Sequence, residues 1–320
     1  MNLSPKKVCI TGGAGFIGSK LAATWKARGA EVVVVDDLSV GKAENVPQGV
    51  ELVICDILDT DSVVEAMRSV ELVYHLAARV AIRSSFECVV ADTMANVSGT
   101  ASVLRAAQLA GSVRKFVLTS SMAVYSDSKV GERIDESWPT MPISPYGISK
   151  LAAEALTSQL CAHAGIDSAI LRLFNTYGPG QALSPYVGAV TIFCNRLAGG
   201  EQPTIYGDGE QCRDFVHVDD IVQALLLAGT VSTSGQVFNI GTGHATTINE
   251  VVSHLEEALN IHIPAKYVEA APGELRSSVP DISKARSILG YEPRRVFATS
   301  VAEVARQIAK VGSAPLWRAS

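Results

Sequence analysis

Charge is sparse in this chain. Asp, Glu, Lys and Arg make up 18% of its 320 residues, and 27 basic against 32 acidic side chains leave a formal net charge of −5. Basic residues occur singly or in pairs such as Arg294-Arg295, so no broad cationic face meets a polyanionic backbone, and nucleic acid is not an expected partner. No run of 18 apolar residues occurs, which argues against a membrane-spanning helix. The opening Met-Asn-Leu-Ser-Pro-Lys-Lys lacks a secretory apolar stretch and cleavage site, so a cytoplasmic location is expected. The six cysteines form no Cys-x-x-Cys pair and follow no regular spacing, so neither a disulfide framework nor a metal site is expected, and a reducing compartment fits.

What the chain does have is an apolar fraction of 48%, much of it in short runs. Residues 8–10, 31–36, 52–55, 72–76, 116–119 and 168–173 read as strands, separated by stretches of helical spacing at 19–28, 60–68, 93–110 and 147–164. Apolar strands alternating with helices predict a parallel α/β sheet covered on both faces. Beyond Asn175 the pattern loosens. Tyr177-Gly-Pro-Gly180 is a turn, one helix is expected within 185–200, and 204–213 is a strand-and-turn segment. Residues 215–218 and 237–240 read as strands around a helix at 220–228, returning the chain to the large sheet. Helices near 247–259, 283–288 and 299–310 and a strand near 266–268 complete a smaller lobe. The expected organisation is a sheet domain from 1–175 and 214–241, and a second lobe from 176–213 and 242–320.

The first strand runs into Thr11-Gly-Gly-Ala-Gly-Phe-Ile-Gly18, directly ahead of a helix. Glycines at 12, 15 and 18 permit a tight turn, close approach of a pyrophosphate, and helix N-terminal N–H groups aimed at it. Such a turn also serves purely structural ends. The next strand weighs against that reading: it ends at Asp36, whose carboxylate can accept from both hydroxyls of an adenosine ribose, and the neighbouring Asp37 repels a 2′-phosphate. NAD is therefore expected rather than NADP. Lys42 is a phosphate contact or a solvated turn residue, and Asp56 either faces the adenine edge or caps the following helix. Leu76, Ala77 and Ala78 end the fourth strand with side chains small enough to let a cofactor cross the sheet's carboxyl edge.

After Pro145, the segment Tyr146-Gly-Ile-Ser-Lys150 opens a helix with Tyr146 and Lys150 four residues apart on one face. A tyrosine packed on a lysine stem is a common structural pair. Beside a nicotinamide the pair has chemistry: an ammonium near a phenol favours the phenolate, drawing its pKa below about 10 and making a base for a sugar hydroxyl. Ser121, just past the strand at 116–119, is placed to orient that hydroxyl, whereas Ser120 is expected to bond the backbone at the strand end.

Joined to Asp36-Asp-Leu-Ser39, His75-Leu-Ala-Ala78, Asn96-Val-Ser-Gly-Thr100, Ser120-Ser-Met-Ala-Val-Tyr125, Arg172-Leu-Phe-Asn-Thr-Tyr-Gly-Pro179 and the run from Ile205 to Asp220, these motifs resemble the extended short-chain dehydrogenase/reductase family, in particular its UDP-hexose 4-epimerase group. The resemblance spans nearly the whole chain. It implies a Rossmann-type parallel sheet with helices on both faces, a smaller mixed α/β substrate-binding lobe, bound NAD, a UDP-sugar substrate and a homodimer pairing the helices at 96–110 and 147–164. It makes Tyr146 the base, Lys150 the holder of the nicotinamide ribose, and Ser121 the partner of the sugar C4 oxygen. Around NAD it implies Gly12, Gly15, Phe16, Ile17, Gly18, Asp36, Asp37, Leu38, Ser39, Gly41 and Lys42, then Asp56, Ile57, Leu76, Ala77, Ala78, Asn96, Thr119 and Leu173. Around the substrate it implies Ser84, Asn175, Val190 with the segment 181–190, Arg213 and Arg276 on the diphosphate, and Asp281 near the nucleoside ribose. Ser278 matches a gatekeeping position at the sugar end, where a small residue leaves room for an N-acetyl group.

Departures from the family pattern narrow the activity. Nucleotide-sugar 4,6-dehydratases carry Asp-Glu after the position of Ser121, and the related decarboxylases usually a Glu; this chain has Met122 and Ala123, which move no proton. Asp37 replaces a frequent Asn and Ser126 a usual Gly, mild changes confined to loops. The expected activity is reversible inversion at C4 of a UDP-hexose, plain or N-acetylated, with no net redox change. Another nucleotide-sugar reaction of the same family (reduction, dehydration or decarboxylation) and a non-catalytic NAD-binding protein remain open on sequence alone.

Overall fold

The computed structural model describes residues 3–80, 82, 84–181, 188–270 and 275–311. The chain runs through β1 (Lys7–Thr11), α1 (Phe16–Ala27), β2 (Glu31–Asp36), β3 (Glu51–Ile54), α2 (Thr60–Ala66) and β4 (Leu72–His75). Then α3 (Val89–Thr93) passes through a π turn at Met94–Ser98 into α4 (Gly99–Ala110), followed by β5 (Lys115–Ser121), α5 (Pro145–Ala164) and β6 (Asp167–Leu173). Next come β7 (Asn175–Tyr177), α6 (Ala189–Ala198), β8 (Thr204–Tyr206), β9 (Cys212–Arg213), β10 (Phe215–His217), α7 (Val218–Thr230) and β11 (Gln236–Ile240). The chain closes with β12 (Thr246–Thr247), α8 (Ile248–Leu259), β13 (Lys266–Val268), β14 (Ser277–Ser278) and α9 (Phe297–Val311).

Seven strands form one sheet in the order β11-β6-β5-β4-β1-β2-β3, with every pair parallel. Its strands are apolar on both faces because both are covered. Val8, Ile10, Val32, Val34 and Tyr74 pack on one side with Leu21 of α1 and Ile221 and Leu225 of α7. Their sequence neighbours Cys9, Val33, Val35 and Val73 pack on the other with Val63 of α2, Leu104 of α4 and Ala153 of α5. Alternation with a period of two sends adjacent residues to opposite faces, and each large aliphatic side chain so buried contributes roughly 1.5–3 kcal/mol. Strand order reverses beside β1: the chain leaves it for β2 and β3 on one side, then crosses to β4 on the other. The crevice at the carboxyl ends of β1 and β4 is the topological switch point, where such sheets bind ligands.

Some elements differ from the sequence reading. β11 joins the sheet beside β6, but residues 215–217 do not; β6 already has β5 and β11 on its two edges, and β10 pairs instead with β7 in a separate parallel pair. The helix expected from residue 93 begins at Val89, and the one near 283–288 ends in a π turn at Ala285–Leu289. In the later part of the chain β9 lies between β12 and β14, and β8 pairs with β13. Phe193, Leu197, Ile205, Val251, Leu255 and Val301 form a separate core there. No helix among the described residues is long and apolar enough to cross a membrane, and no cluster of His, Cys, Asp and Glu among them could hold a metal ion.

Candidate active site

The switch point is lined by backbone. Gly12 holds φ +70°, and a Cβ there would lie 2.7 Å from the Ala77 nitrogen, so only glycine lets the turn after β1 pass this close to the end of β4. Gly18 packs directly on Gly12, and Gly15 occupies the cap position of α1. That helix has no side-chain cap and no acidic residue in its first turn, so its leading N–H groups and the positive end of its dipole are left for an anion. A pyrophosphate fits this cradle. Phe16 and Ile17 open the helix half-buried beside it, and Leu76 and Ala77 are its opposite wall, with Ala78 next in the chain.

Asp36 sits behind the turn at the end of β2. Its Oδ2 accepts from the Ala14 N–H at 2.9 Å and its Oδ1 from the Leu38 N–H at 2.9 Å, which aims the carboxylate and leaves each oxygen further lone pairs for ribose hydroxyls. Burial raises its pKa above the usual carboxylate value, while those two backbone bonds oppose the rise. Leu38 turns the chain at φ 59°, and Asp37 is spent on the Ser39 backbone N–H (3.0 Å) and hydroxyl (2.6 Å). Gly41 packs on Ala14. The Lys42 ammonium lies 3.5 Å from Glu44 in solvent. Asp56 is not the cap of α2. It accepts from the Leu58 N–H at 2.9 Å, and Asp59, one residue before the helix, accepts from the Ser62 N–H at 3.2 Å, because a cap must directly precede the first turn. Ile57 packs on Gly99, away from that polar turn.

Three residues tie β1 to β4 and α4. Thr11 Oγ1 lies 2.7 Å from His75 Nδ1, and His75 Nε2 lies 3.0 Å from Thr100 Oγ1, which itself donates to the Asn96 carbonyl at 2.6 Å. Since the Thr100 proton is committed, Nε2 carries the donor hydrogen and Nδ1 accepts, so the ring is neutral. Burial, with the Lys150 charge adding to it, pushes the His75 pKa down to about 3. Asn96 clamps the loop after β4: its amide accepts from the Arg79 N–H (2.8 Å) and donates to the Arg79 carbonyl (3.0 Å) and to Ser149 Oγ (2.9 Å). Every group of that amide is thus used in holding the loop against α5.

Those clamps set the start of α5. Ser144 caps it by accepting the Gly147 N–H at 3.1 Å, Pro145 occupies the first turn, and a Cβ on Gly147 would lie 2.8 Å from Pro142 and collide with the Ala123 carbonyl. Glycine there brings the helix against the short turn Met122–Val124, capped by Ser121 Oγ accepting from the Ala123 N–H at 3.2 Å. Tyr146 and Ser121 consequently meet. Burial pushes the Tyr146 phenol up to about 12, with the Ser121 hydroxyl bond pulling it down and the Asp92 charge pushing it further up. This corrects the expectation of a lowered value: with the phenol enclosed, desolvation outweighs any help from Lys150. Lys150, one turn on, is buried too, and its pKa falls to about 8 because burial disfavours the ammonium and Glu154 only partly restores it. Its ammonium makes no hydrogen bond to a described residue. Thr119 donates to the His75 carbonyl at 3.1 Å, and Leu173 pairs in register with Ser121 at the same sheet edge.

Sequence reasoning missed several polar partners. Ser120 does not bond the backbone; it donates to Glu154 Oε1 at 2.5 Å. Asp92 is buried beside Tyr146 with Oδ1 on Arg79 Nε at 2.9 Å and Oδ2 unpaired. Glu154 alone had a local signal, four residues after Lys150 on the same helix face.

The residues expected at the sugar end come from distant segments. Asn175 Nδ2 donates to the Asp214 carbonyl at 3.2 Å, and Arg213 is anchored on the carbonyls of Cys212 (2.9 Å) and Leu275 (2.7 Å). Ser278, paired in register with Arg213, is wholly buried with Oγ 3.3 Å from Met122 Sδ. Arg276 is half-exposed and paired with both oxygens of Asp208, at 2.7 and 3.1 Å. Asp281 is not grouped with the residues above: it accepts from the Ser283 N–H at 2.7 Å and lines a separate cavity of ≈ 280 Å³ with Arg133, His244 and Arg286. Val190 is enclosed in the core of this part with Phe193 and Leu197 rather than presented to a ligand. Ser84 opens a short helical turn after β4. Most of the segment 181–190 assigned to the sugar pocket lies outside the described residues.

A glycine turn at the switch point, a carboxylate at the end of the next strand and an adjoining Ser-Tyr-Lys set define an NAD-dependent enzyme of the doubly wound α/β class. The chain belongs to the NAD-dependent epimerase/dehydratase family, whose sequence profile matches residues 8–241. It is 36% identical over 303 residues to the UDP-glucose 4-epimerase of Mycolicibacterium smegmatis, covering 93% of this chain and 96% of that one. Among solved structures, the UDP-glucose 4-epimerase of Thermotoga maritima with UDP-glucose superimposes at a TM-score of 0.91 and 34% identity, covering 95% and 99% of the two chains. The Thermus thermophilus UDP-glucose 4-epimerase in complex with NAD does so at 0.88 and 35%, covering 94% and 98%. Its relatives extend to decarboxylases, such as the UDP-N-acetyl-alpha-D-glucosaminuronate decarboxylase of Bacillus cytotoxicus, 30% identical over 90% of this chain and 93% of that one.

Proposed function

We propose that the protein is a UDP-hexose 4-epimerase. The observation that carries this reading is the meeting of Tyr146 and Ser121 at the sheet edge, with Lys150 one turn on and Met122 and Ala123, rather than carboxylates, following Ser121. Bound NAD supplies reversible hydride exchange at the sugar carbon. Ser121 orients the C4 hydroxyl, and Tyr146 takes its proton and later returns it. The Lys150 ammonium, one helical turn on from Tyr146 and free of hydrogen bonds to the described residues, holds the nicotinamide ribose and stabilises the phenolate. A phenol raised by burial is a poor base until that charge acts on it. With no carboxylate at 122 or 123, nothing there moves a second proton, so the oxidised sugar is re-reduced rather than dehydrated. Incubation with UDP-, dTDP-, GDP- and CDP-sugars followed by NMR of the products tests this; C4 epimers of a UDP-hexose are expected, and absence of inversion with every donor sinks the reading.

The decarboxylase relatives favour a second reading, loss of CO2 from a UDP-uronate. A pentose product from UDP-glucuronate in the same NMR series would select it.

N-acetylated sugars belong to the proposed substrate range. Ser278 is small and its neighbour Met122 is flexible, so the pocket wall can give way to an acetamido group without leaving a charge unpaired. Arg213 and Arg276 are the proposed diphosphate contacts, and Asp208 has to yield Arg276 for that role. We also propose a homodimer. Phe86, Val89, Val90 and Met94, along α3 and the turns flanking it, and Ile148 near the start of α5 are exposed apolar side chains, Val90 at 78%, and a second copy packed about a two-fold axis would cover them. Light scattering of Val90→Asp against the wild type tests it, with a monomeric wild type the overturning result. The six free cysteines suit the reducing cytoplasm.

A further inference from the structure

Arg276 precedes Ser278 by two residues, and its carbonyl accepts the Cys212 N–H at 3.0 Å, so the ladder between β9 and β14 reaches it and its side chain leaves on the same face as that of Ser278. Two strand residues span about 7 Å, the distance along the strand from the contact of Ser278 with Met122. The Arg276 side chain is 48% exposed and borders a cavity of ≈ 570 Å³ with Ser128, Lys129 and Trp138, so it has room to move. It is nevertheless held. Asp208 Oδ1 accepts from Nη1 at 2.7 Å and Oδ2 from Nη2 at 3.1 Å, the two-point grip that a guanidinium also offers to a phosphate.

The carboxylate is presented by a loop that is tied down. Gly207 and Gly209 hold φ +74° and +79° on either side of Asp208, and a Cβ on Gly209 would collide with the Asn249 side chain. Asn249 of α8 donates from Nδ2 to the Asp208 carbonyl at 3.1 Å and to Glu210 Oε1 at 2.6 Å, and its backbone N–H reaches the Gly209 carbonyl at 3.1 Å. The Glu210 N–H donates to Asp208 Oδ1 at 2.9 Å, which aims the carboxylate. An exposed ion pair adds little to stability, so stability does not account for an anchored carboxylate on a movable cation. We propose that Asp208 is an affinity-setting latch, its carboxylate competing with the substrate diphosphate for the Arg276 guanidinium and so easing release of the nucleotide. This rests on Arg276 as a diphosphate contact in the function proposed above. Two anions cannot share one edge of a guanidinium, and each repels the other, so the pair opens as the nucleotide binds and closes as it leaves. A carboxylate that merely supported Arg276 would have the opposite effect on affinity when removed.

The test is calorimetric titration of NAD-loaded protein with UDP. Asp208→Asn keeps the size of the side chain and the oxygen that accepts the Glu210 N–H; UDP should bind roughly two- to fivefold more tightly, the range that an exposed ion pair is worth. KM for a UDP-hexose should fall by the same factor with no rise in kcat, because the diphosphate is held alike in the ground and transition states. Arg276→Ala should weaken UDP roughly tenfold or more, and in that background Asp208→Asn should change little. Unchanged or weaker UDP binding in Asp208→Asn overturns the latch, as does equal tightening without Arg276. Should Asp208→Asn fail to fold, Asp208→Ser is read the same way. If Arg276→Ala leaves UDP affinity unaltered, the diphosphate role of Arg276 falls, and the latch with it. The expected UDP response with no turnover of any UDP-sugar would overturn the epimerase reading and leave the latch standing.

Discussion

At the cofactor end, contacts join residues close in sequence or at the ends of adjoining strands: Asp36 to Leu38, Asp37 to Ser39, Gly12 to Ala77, Thr11 to His75. At the sugar end they join segments far apart: Arg213 to Leu275, Ser278 to Met122, Arg276 to Asp208. The first set is built on strands buried on both faces and paired side by side in one parallel sheet. The second depends on how the core around α6, α8 and α9 docks on the loops that leave the sheet. Fixed backbone suits a cofactor that every turnover uses, whereas side chains gathered from separate loops can change one at a time and suit substrate choice.

The largest effect should come where the two ends meet. Tyr146→Phe keeps the ring in its buried seat and removes only the hydroxyl, so NAD should still bind while kcat falls by roughly 10³-fold or more. Turnover within tenfold of wild type would assign the proton transfer elsewhere. At the cofactor end alone, Asp36→Ala should weaken NAD by about 1.5–3 kcal/mol, roughly 10- to 150-fold in Kd by calorimetry, through lost charge-assisted bonds. An unchanged Kd would remove Asp36 from the ribose site.

At the sugar end alone, Ser278→Tyr should cut kcat/KM for an N-acetylated UDP-hexose by roughly tenfold relative to the plain sugar, and leave NAD affinity untouched. Because Ser278 is wholly buried on Met122, the ring also overpacks the site, and thermal stability should drop by roughly 1–3 kcal/mol. A constant ratio between the two sugars would make Ser278 a packing residue only.

The last effect is a pH dependence confined to the cofactor end. His75 titrates at about 3 when folded against 6.5 for the free side chain, so between these values the unfolded chain binds the proton that the folded one refuses. Stability should fall as pH drops from 6.5 towards 3, by at most about 1.4 kcal/mol per unit from this residue. His75→Gln should flatten that acid limb in urea titrations; an identical limb would mean the histidine opens to water before the protein unfolds.

The cofactor end was largely legible because its chemistry is local. A glycine that must hold φ +70° beside Ala77 leaves a mark in the sequence, and so does a tyrosine four residues before a lysine behind a capping Ser144 and Pro145. Even there, partner choice was not legible. Ser120 was expected on the backbone and bonds Glu154, and Asp56 gave up the cap of α2 to Asp59. Buried polar groups bond whatever the topology brings within about 3 Å, and a donor on β5 cannot announce an acceptor on α5.

The sequence by itself determined the parallel sheet, the glycine turn with its following carboxylate, and the Ser121, Tyr146 and Lys150 set, because strand periodicity, backbone conformation and helix spacing are properties of neighbouring residues. Only the tertiary structure decided that β10 would leave the sheet for β7, that Asp281 would line a cavity with Arg133 and His244, that Ser278 would rest on Met122, and that Glu154 would be pinned by Arg172 and Ser120. Each of those depends on which strand edge is already occupied and which distant side chain reaches a buried polar atom first, and these follow from three-dimensional packing rather than from order along the chain.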